Sequence, residues 1–171
     1  MALPTPTPGL VISYSYLWQD QANAGWEEGL KDRPCVIVLA VHDQDGERIV
    51  HVAPITHTPP KAKTEAVELR AATKARLGLD DQQSWIVTTE LNRFTWPGPD
   101  LRPISRDKPD TFAYGSVPLG TLKQVIDQIR ERRRRPHGQA GRWRPEVGAF
   151  NSATRPLQRR SRTSSLEAGV R

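Results

Sequence analysis

Cysteine is almost absent from this chain: Cys35 stands alone, so no intramolecular disulfide forms and no cysteine-rich zinc site can be built. It sits inside an apolar run, which points to a buried free thiol and not to a reactive nucleophile. No apolar run approaches the roughly 20 residues that a membrane-spanning helix requires. Residues 1–8 hold neither the basic nor the apolar segment of a secretory signal. The expectation is a soluble cytoplasmic protein with no membrane partner. Also missing are a P-loop, a paired-glycine dinucleotide fingerprint, a His-Glu-x-x-His pair, an EF-hand loop and a nucleophile elbow. The histidines His42, His51, His57 and His137 do not fall at metal-ligand spacing, so neither a metal nor another cofactor is expected.

What is abundant is charge, unevenly placed. Residues 130–171 carry 12 arginines and 3 acidic residues, a balance of +9, whereas residues 1–129 carry 13 basic and 16 acidic residues, a balance of −3. The basic character therefore belongs to the tail, and any grip on nucleic acid by the body of the protein must be local. With 171 residues, one domain with a proper core fits better than two. The division expected is a Pro-rich arm over 1–8, a folded domain over 9–133 and a basic, disordered tail over 134–171. The tail would attract RNA electrostatically, or it is an extension without a role.

Between arm and tail, hydrophobic periodicity predicts a series of short strands. Leu10–Trp18 is β-branched and aromatic and reads as the first strand. Residues 19–32 are polar and irregular and read as a long loop. Pro34–His42 is so continuously apolar that burial on both faces is expected. Arg48–Ile55 alternates, with Ile49, His51, Ala53 and Ile55 on one face and Val50, Val52 and Pro54 on the other. Val67–Leu69 is a candidate edge strand, and Ala71–Leu77 a short helix stopped by Gly78. Ser84–Leu91, running on to Trp96, reads as one strong strand, and Leu101–Ile104 as a short one. Leu119, Leu122, Val125, Ile126 and Ile129 recur at helical spacing and predict an amphipathic helix from about Pro118 to Arg133. This is an α+β pattern: a small, highly curved sheet or barrel with one or two helices.

One hairpin in this pattern gathers chemistry. If the strands beginning at Pro34 and ending at Ile55 pair across the Asp45-Gly46 turn, Arg33 and Thr56-His57 become neighbours. Cleaving RNA through its own 2′-hydroxyl needs a proton acceptor, a proton donor for the leaving oxygen and a donor to the phosphorane charge. Arginine offers a fixed cation with a fork of donors, threonine a hydroxyl and histidine the ordinary acid and base. The plain alternatives are an Arg33 ion pair with Asp32, Glu27 or Glu28, a turn-forming Thr56, and a solvated His57.

The ordered set of motifs resembles the PemK/MazF family of toxin endoribonucleases from type II toxin–antitoxin systems. The residues that carry the likeness are Gly9-Leu10-Val11-Ile12, Arg33-Pro34 before the apolar strand, Pro54-Ile55-Thr56, and Glu90 shortly before Arg93. Tyr114-Gly115 and the helix after it also fit. The resemblance implies an SH3-like β-barrel with a C-terminal amphipathic helix, assembled as a homodimer. It implies metal-independent cleavage of single-stranded RNA to 2′,3′-cyclic phosphate and 5′-hydroxyl ends, growth inhibition, and control by a cognate antitoxin protein. Arg33 matches the catalytic arginine, which would handle proton transfer and phosphate charge, and Thr56 the catalytic threonine. Lys31, His57 and Arg93 are the expected substrate contacts, with His57 standing where the family usually has a small Ser or Thr. Two other readings stay open: a growth inhibitor of the CcdB kind that acts on a protein such as DNA gyrase, and a barrel-type RNA-binding module.

Overall fold

A computed structural model describes residues 3–27, 29 and 31–135. Seven strands and three helices follow in chain order: β1 (Leu10–Ser15), α1 (Gln19–Asn23), β2 (Asp32–His42), β3 (Arg48–Thr56), β4 (Ala66–Glu68), α2 (Ala71–Leu77), β5 (Trp85–Val87), β6 (Asn92–Thr95), β7 (Ala113–Ser116) and α3 (Leu119–Arg134). All strand pairings are antiparallel. The path runs β4-β5-β3-β2-β1-β7, with β6 also paired to β3. The protein is a small α+β domain built on one antiparallel sheet. The part of the tail from residue 136 onward, and any RNA attraction by it, lies outside the described residues.

Strand alternation places apolar side chains on both faces of the central strands. Val11, Val36, Val38, Ala53 and Ile55 face one core, closed by Leu77 of α2 and by Leu122 and Val125 of α3. Ile12, Tyr14, Cys35, Ile37, Val50 and Val52 face the other, closed by Tyr16, Phe94 and Leu101. Burial on both sides of β2 holds only for residues 35–38; the burial expected over Pro34–His42 fails beyond them, where the strand outruns both cores and Leu39 and Val41 are each 42% exposed. Cys35 is fully buried, and that burial raises its thiol pKa far out of the reactive range.

Three readings of the sequence need correction. The stretch 19–32 is not all loop: Gln19–Asn23 forms a helical turn, with the Gln21 side chain accepting the Trp18 backbone N–H at 3.3 Å. The expected long strand from Ser84 to Trp96 is two strands. Ile86 pairs with Ile55 while Asn92 pairs with Val52, so β5 and β6 span six residues where β3 spans three. The surplus bulges away from the ladder and turns the Glu90 carboxylate inward, where it accepts from the Tyr16 hydroxyl at 3.2 Å and the Gln19 N–H at 3.3 Å. Leu101–Ile104 is a single bridge from Leu101 to Tyr14, not a strand. In the arm, Pro6 is buried, and the turn after it docks through Gly9 N–H on Ile37 O at 2.7 Å.

A candidate site at the end of the β2–β3 hairpin

The register of β2 on β3 starts at Cys35 opposite Pro54. Two residues further toward the open end on each strand stand Arg33 and Thr56. Opposed residues of an antiparallel pair share a face, so both belong to the Cys35 face. There the Arg33 guanidinium lies 5.1 Å from the centre of the Trp18 ring, a cation–π contact worth about 0.5–1 kcal/mol. Its Nε is buried without a hydrogen-bond partner. Asp32 pairs instead with Arg102, at 3.7 Å, and among the described residues Arg33 makes no ion pair. Thr56 Oγ1 accepts the Thr58 N–H at 3.1 Å and so shapes the turn that follows. Trp85 stands opposite Thr56 on the other edge of β3.

His57 belongs to the other face. Its Nε2 lies 2.9 Å from Asp80 Oδ2, and with Asp80 it borders a cavity of about 180 Å³ lined also by Lys31, Asp32, Arg33, Lys74 and Ser84. Pro34, Ile55 and Leu79 supply its apolar wall. Lys31 and Arg33 are thus on the cavity rim, and Arg33 reaches both sides of the hairpin end. Arg93 is not brought to this site. It pairs with His51, five residues back along β3 from Thr56 and therefore about 17 Å away. There burial, then the charges of Arg93 and Arg133, lower the His51 pKa.

Behind His57 is an arrangement that sequence reasoning missed. Gly78 ends α2 in the left-handed conformation at φ 68°, a backbone state glycine adopts without steric cost. The chain doubles back, Leu79 N–H bonding Lys74 O at 3.0 Å, and lays Asp80 on the Lys74 ammonium at 2.8 Å. Lys74 is only 4% exposed, and its Nζ also donates to Ser84 Oγ at 2.7 Å and to the Gln82 carbonyl. An ammonium has three protons, and all three are used. Asp80 accepts the Gln82 N–H as well, at 3.0 Å. The Lys74 hydrogen bond, with the Gln82 N–H and the nearby His57, holds the Asp80 carboxyl below its ordinary pKa. A signal was present: Lys74 stands three residues before Leu77 and so on the inward stripe of α2, where a charge needs partners.

On the Arg33 face, Trp18 and Glu90 also went unnoticed as site neighbours. Trp18 meets Tyr16 edge-on at 5.1 Å, and Tyr16 leads to Glu90, whose pKa is raised by burial. No protein-family model matches this chain, and no curated protein is significantly similar to it.

Proposed function

We propose that the protein is the toxin component of a type II toxin–antitoxin system, a cytoplasmic endoribonuclease that cuts single-stranded RNA without a metal. The products are 2′,3′-cyclic phosphate and 5′-hydroxyl ends. The observation that carries the reading is the β2–β3 ladder, which ends at Cys35 opposite Pro54 and so brings Arg33 and Thr56, two residues beyond on each strand, to the same open end of the hairpin. The motif likeness to PemK/MazF toxins supplies the rest: an SH3-like closure of the curved sheet, a homodimer, and a cognate antitoxin protein as the inhibitor. Arg33, without an ion pair among the described residues, supplies positive charge to the scissile phosphate, and Thr56 donates to a phosphorane oxygen. Guanidinium does not give up its proton in a protein, so the role of Arg33 is electrostatic. Lys31 on the cavity rim adds charge for the RNA backbone.

The test is digestion of a single-stranded RNA in excess EDTA. Cleavage by the wild type and a loss of about 10²–10³-fold in Arg33→Ala, with the circular dichroism unchanged, supports the reading. RNA left intact by folded wild-type protein sinks it.

A further inference from the structure

With Arg33 permanently charged, the Arg33–Thr56 pair lacks a group to receive the 2′-hydroxyl proton. Of the acids and bases described near the hairpin end, Asp32 and Asp80 are already paired with the cations Arg102 and Lys74, which leaves Glu90 and His57. Glu90 already accepts from Tyr16 and Gln19 and does not border the cavity. His57 does border it, and its side chain is 48% exposed. We propose that His57 is the proton acceptor of this site, with Asp80 as its positioning residue and Lys74 as the anchor of Asp80. The assignment rests on the ribonuclease reading above.

The geometry fixes which nitrogen acts. Asp80 is acceptor-only when ionised, so the Nε2 contact at 2.9 Å is an N–H donated by the imidazole. That leaves the Nδ1 lone pair to receive a proton. A carboxylate behind the ring also stabilises the imidazolium formed during the reaction. Asp80 itself cannot drift, because Lys74 Nζ and Gln82 N–H hold it at 2.8 and 3.0 Å. A solvated surface histidine needs no such backing: the buried ammonium, spending all three protons, is an expensive device if its only product is one exposed ion pair worth at most about 1 kcal/mol. The charged groups around the imidazole are Lys31, Asp32, Arg33, Lys74 and Asp80. Asp32 is paired with Arg102 and Asp80 with Lys74, so the charge left for a phosphate is that of Lys31 and Arg33.

In the step, Nδ1 of neutral His57 takes the 2′-hydroxyl proton while the 2′-oxygen forms a bond to phosphorus. The bond from phosphorus to the 5′-oxygen breaks, and that oxygen leaves as an alcohol with a proton from solvent. The imidazolium then returns its proton to solvent, so no net proton is consumed. Arg33 remains protonated throughout.

The experiment compares wild type, His57→Ala, Asp80→Asn and Arg33→Ala on one RNA oligonucleotide in EDTA, across a pH series, with and without added imidazole. The expected result is a fall in kcat of about 10²–10⁴-fold in His57→Ala with little change in KM. Added imidazole restores part of that rate but none of the Arg33→Ala loss. Asp80→Asn gives a smaller fall in kcat and a displaced low-pH limb. A His57→Ala protein that cuts at the wild-type rate, or whose loss lies in KM and is not rescued by imidazole, overturns this assignment and leaves the ribonuclease reading standing. RNA left intact by the wild type overturns both.

Discussion

The two faces of the hairpin end hold their cations in opposite ways. On one face Arg33 lies over the Trp18 ring with no ion pair among the described residues and an unbonded Nε. On the other, Lys74 is 4% exposed with every ammonium proton committed to Asp80, Gln82 or Ser84. A guanidinium resting on an indole keeps most of its hydrogen-bonding capacity for an incoming phosphate. A saturated, buried ammonium has none left, and its field acts only through the carboxylate it fixes. The first is suited to binding charge and the second to positioning a neighbour, so two cations close together in the fold have different work.

The largest expected effect tests the positioning side. Lys74→Met keeps the stem but removes the ammonium's bonds to the Gln82 carbonyl, Ser84 and Asp80, and stability should fall by about 3 kcal/mol in denaturant titration. That is the low end for breaking a buried pair, because Asp80 is 48% exposed and regains water. If stability is unchanged, Lys74 is not the anchor described. Next, Thr56→Ala removes the hydroxyl proposed to donate to the phosphate and should slow RNA cleavage about 10–100-fold, while its stability, read from the same titration, shifts by less than about 1 kcal/mol. A loss of stability larger than the loss of rate would make Thr56 a turn former only.

The binding side is probed by a double-mutant cycle of Trp18→Ala and Arg33→Met. Unfolding measurements should return a coupling of about 0.5–1 kcal/mol; zero coupling would mean that the stacked guanidinium contributes no stability. The smallest effect concerns acid. The Asp80 pKa is lowered on folding, so its ionised form favours the folded state, and this contribution is present above its ordinary value near 3.8 and is lost as the pH falls through the lower folded value. Wild type should therefore be slightly more stable than Asp80→Asn at neutral pH, and the gap should close on acidification below that value. Screening at this half-exposed site keeps the gap small.

Much of the frame was legible because strand alternation and helix caps are local signals. The β2–β3 pairing, the edge strand near Val67, the Gly78 stop and α3 all follow from patterns within a few residues. The break between β5 and β6 was not, since nothing in the run from Ser84 to Trp96 reveals that β3 needs only three residues where this run supplies six. That Arg33 and Thr56 share one end of the hairpin was readable from the expected strand pairing. The partners Trp18, Lys74 and Asp80 were not, because each arrives at the hairpin end from a distant element. Arg93 illustrates the limit from the other side: the sequence motif near Glu90 suggested a substrate contact, and the register carries it to His51.

The central claim is that the hairpin end cleaves RNA through the substrate's own 2′-hydroxyl. Mass-spectrometric end-group analysis of an RNA oligonucleotide cut in EDTA tests it directly, with a second oligonucleotide carrying 2′-deoxyribose at the cleaved position. The account predicts 2′,3′-cyclic phosphate and 5′-hydroxyl ends on the first and no cut at the deoxy position of the second. Ends bearing a 5′-phosphate, or cleavage that persists at the deoxy position, would contradict it.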